Sequence, residues 1–424
     1  MPSVLIISPH FPPATLAGVH RARHLAKYLP SFGWTPIIIR ADESCYTEPC
    51  DPQLAELVPR SVEQVRTKAI PAKFARMFGI GDIGLRAYLP IKGAIKRAVA
   101  EYGPRVVFIT GSPYYPMLLS KWVRKTFDLP VVLDFQDPWV SRAGFSEPLF
   151  SKRGASHLLA LNLEPKVLRQ ASYVTSVSEV QNQQLLERYS WLSANNMKAI
   201  AIGADPADFD ALRKGVDISR TSENERFLFR YVGTITPRFV PLLELFCAAI
   251  KEMANQHPGI ADNIEFEFIG TSNQPGTYSA YQVMPIAKQF GIEQFVKEKP
   301  ARVPYMEALR LTATANALLF VGSDESHYTA SRIYSGLMAN RPYVSFFHEL
   351  SSAHHVLAAA KGGVSVPYST EGEKTPTIEA LCDAIMTIYN KASAISGVDP
   401  ASYERFTAEN IAGEFAGIFD KLAK

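Results

Sequence analysis

Short apolar runs rich in β-branched residues recur along this chain, separated by segments whose apolar positions return every three or four residues. In the first half the runs Val4–Ile7, Pro36–Arg40, Val106–Thr110, Pro130–Phe135, Tyr173–Ser176 and Lys198–Ile202 read as strands. Helical spacing occupies Val19–Tyr28, Tyr115–Phe127 and Glu179–Tyr189. The polar stretch Ala204–Arg226 reads as a linker, after which the pattern restarts. Phe229–Val232, Ile264–Ile269, Phe295–Lys299, Ala317–Val321, Tyr343–Phe347 and Gly363–Pro367 are strand-like. Between and after them, Val240–Ala254, Gln282–Phe290, Tyr305–Ala313, a segment opening at Ser331, His354–Ala360 and Thr377–Asn390 carry helical spacing. Strand–helix alternation of this kind predicts an α/β protein with parallel sheets, here two Rossmann-like domains in tandem. The last segment, Tyr403–Leu422, is amphipathic at helical spacing through Phe406, Ile411, Phe415, Ile418, Phe419 and Leu422, and suits either domain.

Parallel sheets collect ligands beyond the carboxyl ends of their strands, where helix N-termini point. Ala317–Phe347 reads as one strand–loop–helix–strand unit, with Ser331 as N-cap and Arg332 in the first helical turn. Free backbone N–H groups and one guanidinium there suit a phosphate or diphosphate, although a buried unit with a surface arginine has the same pattern. Gly18, before the first helix, would let backbone approach a ligand or would only turn the chain. Asp137, just past the strand ending at Phe135, is a site candidate or the cap of the following turn.

Residues 66–97 hold eight basic side chains and one acid, Asp82, interspersed with Phe74, Met77, Phe78 and other bulky apolar groups. Such a mixture fits contact with an anionic membrane surface, and equally a solvated helix pair packed on a core. The same region contains G-x-G-x-x-G at Gly79, Gly81 and Gly84, but neither a strand before it nor a capped helix after it, so it is not a dinucleotide site.

The chain's 424 residues are 47% hydrophobic and 20% charged, enough for two or three real cores. Net charge is +3, yet residues 1–205 carry 24 Lys+Arg against 16 Asp+Glu while residues 206–424 carry 20 against 25. The two halves therefore expect different partners. No apolar run approaches bilayer-spanning length, and Met1 leads straight into a strand-like run, so an unexported cytoplasmic protein is expected. Cys45, Cys50, Cys247 and Cys382 lack metal-ligand spacing and are expected to be ordinary thiols, with no metal bound. The basic segment matches no nucleic-acid module.

In order along the chain, ISPHFPPATLAGVHRARHLAKYL, VVLDFQDPW, TSVSEVQNQQLLERY, AIGADPADF, FRYVGTITPRF, FEFIGTS and TASRIYSGLMANRPYVSFF together resemble the GT-B glycosyltransferases of the family 4 group. That resemblance implies two Rossmann-like domains facing across a cleft: an acceptor domain, 1–203 with the terminal helix 403–424 crossing back to it, and a nucleotide-sugar donor domain, 204–402. It implies a retaining, metal-independent transfer, with no cofactor beyond the nucleotide-sugar substrate, to a lipid-linked or polysaccharide acceptor. The setting would be the cytoplasmic face of a membrane, touched through 66–97. Arg238 and Arg332 would neutralise the leaving diphosphate, with Asp137 as a third catalytic candidate. Gly18, Gly233, Thr234, Ser331 and Ser335 would line the diphosphate site. The family's usual glutamates are replaced by Ser335 and His327, leaving Asp324, Glu325 and His327 as candidate sugar or ribose contacts. Those replacements keep two alternatives open: a non-catalytic scaffold of the same fold, and an epimerase or pseudo-glycosyltransferase.

Overall fold

The computed structural model describes residues 1–148, 150–214, 226–272, 274, 279–325, 328, 330–369, 375–392 and 397–424. They form two units, Met1–Ile202 with Ala408–Lys424, and Gly203–Thr407. Each is a parallel sheet flanked by helices, the α/β architecture that the strand–helix alternation predicts.

Unit 1 holds seven described strands: β1 (Ser3–Ile7), β2 (Thr35–Ala41), β3 (Glu63–Thr67), β4 (Val106–Gly111), β5 (Val131–Phe135), β6 (Tyr173–Ser176) and β7 (Met197–Ala199). Their order is β3-β2-β1-β4-β5-β6-β7, all pairs parallel. Side chains alternate across a strand, so Leu5 and Ile7 feed one core while Val4 and Ile6 feed the other. Both faces being covered, β1, β4 and β5 are buried throughout, which is why they read as largely apolar runs, broken in β5 by Asp134. β3 escaped the sequence reading because EQVRT is a half-exposed edge strand with no apolar run. β7 ends at Ala199, short of the expected Ile202.

Unit 2 holds β8 (Phe227–Val232), β9 (Ile264–Ile269), β10 (Val296–Lys299), β11 (Ala317–Val321), β12 (Tyr343–His348) and β13 (Gly363–Tyr368), in the order β10-β9-β8-β11-β12-β13. The expected linker is not all loop. Pro206–Arg213 is a helix, with the Asp205 side chain accepting from Ala207 N and Pro206 at its first position, while 215–225 lie outside the described residues.

The terminal stripe divides. Phe406 packs at a tilt against Tyr334 inside unit 2, 4.7 Å between centroids. From Ala408 the helix Ala408–Leu422 belongs to unit 1, where Phe415 meets Phe108 edge-on at 5.2 Å and Phe419 meets Trp34 at 5.5 Å. Trp34 Nε1 donates to Asp420 at 2.9 Å, so the buried indole keeps its hydrogen bond. Burying each such aromatic contributes roughly 2–3 kcal/mol, enough to hold the helix to unit 1 although Ile202 and Ala408 are distant in sequence. Gly79 and Gly81 lie between the short helices Ala72–Arg76 and Ile83–Arg86, and Gly84 lies within the second, which, contrary to the sequence reading, is capped by Asp82; a helix, not a strand, leads directly into the glycines. No described helix is long and apolar enough to cross a membrane.

Candidate functional site

In unit 2 the strand order reverses between β8 and β11, so their carboxyl ends open the crevice where ligands of such sheets bind. Arg332, first residue of the helix Arg332–Met338, straddles that point. Its Nη1 donates to the carbonyl of Thr234, beyond β8, at 3.4 Å, and its Nη2 to the carbonyl of Val321, at the end of β11, at 3.2 Å. The guanidinium lies over the Tyr231 ring at 4.5 Å and near Phe239 at 5.7 Å. Two rings and two carbonyls thus fix a half-buried cation whose Nε has no partner. Among the described residues no carboxylate stands at ion-pair distance from it. A fixed cation in partly desolvated surroundings without a counter-charge favours an anion.

Gly233 makes this placement possible. Its φ is +148°, and a Cβ there would lie 2.4 Å from Nη1 of Arg332. The Tyr231 hydroxyl donates to the Thr234 carbonyl at 3.1 Å, pinning the loop that receives Arg332. Burial pushes the Tyr231 hydroxyl far above its ordinary pKa, so it remains a donor.

Arg238 stands differently. Its Nη1 lies 3.1 Å from Glu325 and 3.8 Å from Asp324, and its carbonyl accepts from Asp324 N at 3.2 Å. Asp324 and Glu325, read from the sequence as sugar or ribose contacts, here face the arginine read as catalytic. Ser331 occupies the N-cap position, but in helical conformation and without a side-chain cap bond, so the expected cap is absent. The Ser335 hydroxyl turns back to the Arg332 carbonyl at 3.0 Å. His327 lies outside the described residues.

Unit 1 reverses its order between β1 and β4. Gly18 precedes the helix Val19–Tyr28 with φ −61° and ψ −20°, and an added Cβ would meet nothing nearer than 3.4 Å. That backbone suits any residue, so a conformational need for glycine is not what Gly18 supplies. Sequence reasoning missed the buried network below it. Asp134 accepts from Arg21 Nε at 3.2 Å, Thr110 Oγ1 at 2.7 Å and Thr175 Oγ1 at 2.8 Å. Arg21 also donates to the carbonyls of Ile200 and Ala201 at 2.5 and 2.7 Å. Gln136 Nε2 links Thr110 Oγ1 to the Gly18 carbonyl at 2.6 and 3.1 Å. A charged residue inside the apolar run VVLDF was the available signal.

Asp137 sits in the loop after β5, exposed, with its carbonyl accepting from the Tyr114 hydroxyl at 2.7 Å. Although much of the residue stays open to solvent, the protein packed about its carboxyl displaces part of the water there, and this local desolvation raises it to about 6. Two further groups hold this loop. Glu164 accepts from Val140 N at 3.0 Å, and Arg188, paired with Glu164, donates to the Val140 carbonyl at 3.1 Å.

Residues 17–203 match the family described as glycosyl transferase 4-like domain. No curated protein matches the chain. Among solved structures, sucrose-phosphate synthase from Thermosynechococcus elongatus is similar at a TM-score of 0.63 and 17% identity, over 100% of this chain and 99% of that one. WaaG, a glycosyltransferase involved in lipopolysaccharide biosynthesis, is similar at 0.59 and 12%, over 98% and 99%. The pneumococcal O-GlcNAc transferase GtfA, in complex with UDP and GlcNAc, is similar at 0.62 and 9%, over 99% of both chains.

Proposed function

We propose that this chain, whose residues 17–203 match a glycosyl transferase 4-like domain and whose fold is that of GT-B glycosyltransferases, transfers sugar from a nucleotide-sugar donor to a lipid-linked or saccharide acceptor. The observation carrying this reading is Arg332, a cation held at the switch point of unit 2 without a carboxylate among the described residues. A nucleoside diphosphate supplies the missing charge. The GtfA neighbour, in complex with UDP and GlcNAc, offers a chemical precedent for the donor class.

In the proposed reaction the bond between the sugar's anomeric carbon and the β-phosphate oxygen breaks, and an acceptor hydroxyl forms the new bond on the same face. The hydroxyl proton passes to the departing diphosphate. Arg332 stabilises the charge that develops there, in a position set before reaction begins, and Gly233 and Thr234 shape its seat. Arg238 joins it by exchanging Glu325 and Asp324 for phosphate. Asp137, ionised above about pH 6, binds the acceptor hydroxyl. The chemistry is proposed to retain configuration and to need no metal, on the cytoplasmic face of a membrane approached through 66–97.

Calorimetric titration with UDP, GDP and ADP tests the donor site, followed by nucleoside diphosphate release from candidate donors with acceptor present. Binding of at least one diphosphate, lost in Arg332→Ala, is the expected result; unchanged binding in that variant ends the reading. The Ser335 hydroxyl, engaged with its own helix where the family carries a glutamate, favours a second reading as a non-catalytic scaffold. Absence of binding to every diphosphate would support it.

A further inference from the structure

Large apolar side chains that remain exposed are concentrated in unit 1. Among the described residues, unit 2 exposes only Tyr281 and Leu350 of this kind. Most of those in unit 1 belong to two segments. One runs from Ile70 to Leu89, with Phe74 57%, Met77 77% and Phe78 68% exposed. The other, which sequence reading passed over, runs from Phe145 to Leu159, with Phe145 63% and Phe150 fully exposed and Leu158 and Leu159 beside them.

The segments are far apart in sequence yet lie at one edge of the sheet. The first follows the carboxyl end of β3 and the second that of β5, in a sheet whose described pairs are all parallel. Between them stands the turn Tyr115–Leu119, which follows β4 and packs against both sides. On one side Gly84 is so close that a Cβ would lie 2.7 Å from Pro116 Cδ. On the other, Tyr115 meets Trp139 edge-on at 6.2 Å, in the loop that carries Asp137.

Charge selects the occupant. Lys68, Lys73, Arg76 and Lys152 are exposed around the apolar tips. The acids are already engaged: Asp82 caps Leu85 N, and Glu147 pairs with Arg153. Protruding aromatic and aliphatic tips accompanied by exposed lysine and arginine suit a bilayer surface, where rings enter the headgroup boundary and cations meet anionic phosphates. We propose that unit 1 docks on an anionic bilayer through both segments at once, bringing the carboxyl edge of its sheet, with Asp137, to the membrane. The docking stands on these side chains alone; that the acceptor is drawn from the same surface rests on the function proposed above.

Flotation of the full chain with vesicles of phosphatidylcholine, with and without phosphatidylglycerol, tests this. Partition is expected only with phosphatidylglycerol, and to weaken as salt rises. Phe74→Ser with Phe78→Ser, and separately Phe145→Ser with Phe150→Ser, should each weaken partition about tenfold or more. Absence of partition, or partition indifferent to the Phe145/Phe150 pair, overturns the two-segment proposal. So does a dimer, seen by sedimentation, that these changes dissolve, since the face would then cover a second copy. Nucleoside diphosphate binding, measured on the same variants, should be unchanged; its absence from the unaltered chain would count against the donor-site reading and leave the docking result intact.

Discussion

Gly233 and Arg332 are fitted to each other: a Cβ on the first would lie 2.4 Å from Nη1 of the second. The residues are far apart in sequence, one after β8 and the other opening a helix after β11, and the missing side chain of one is the seat of the other. Gly233→Ala is expected to displace the guanidinium and to strain a backbone at φ +148°, costing roughly 1–3 kcal/mol of stability. Thermal melting reads the strain, and titration with a nucleoside diphosphate reads the displacement. A variant that binds as well as the parent would show that the seat does not matter.

Arg332→Lys keeps the charge and loses the planar fork that reaches two carbonyls and lies over Tyr231. Both Arg332→Lys and Arg332→Ala should weaken diphosphate binding, the alanine change by roughly 2 kcal/mol or more, about thirtyfold in Kd. Equal affinities for lysine and arginine would mean that bare charge suffices.

Asp134 and Arg21 form a pair with neither side chain exposed. Asp134→Ala leaves the guanidinium without its carboxylate and two threonine hydroxyls without their acceptor, an expected loss of roughly 3–5 kcal/mol. Replacing both residues, Asp134→Leu with Arg21→Met, should cost less than the sum of the single changes, because the two share one interaction. Denaturant unfolding of the parent, Asp134→Leu, Arg21→Met and the double variant measures it; strict additivity would deny the coupling.

Asp137 gives a dependence on pH. Its carboxyl, raised from 3.8 to about 6 by loss of water, holds its proton more tightly in the folded chain than in the unfolded one. Its contribution to stability is therefore complete below about pH 4 and is lost as pH rises through about 6. The melting-temperature difference between the parent and Asp137→Asn should change across that window and be flat on either side. A difference constant from pH 4 to 7 would refute it.

Much of the architecture was legible because parallel strands buried on both faces leave largely apolar runs, as β1, β4 and β11 do. β3 and the helix at Pro206 were not, since an edge strand with one apolar residue and a two-turn helix burying only Phe209 and Leu212 of its large apolar side chains leave no run or period to read. Arg332 could be singled out from its place after a strand and at a helix start. Its partners could not, because Tyr231 reads as one more strand residue until the fold lays its ring beneath the guanidinium.

The order of residues alone determined two α/β units and a terminal amphipathic helix, because local periodicity records which faces will be buried. Tertiary structure alone decided that Phe406 serves one unit and Phe415 the other, and that Glu325 faces Arg238 while Arg332 faces no carboxylate among the described residues. It also decided that apolar segments following β3 and β5 share one edge of a sheet. Such relations join positions distant along the chain, and no local pattern encodes which of them will meet.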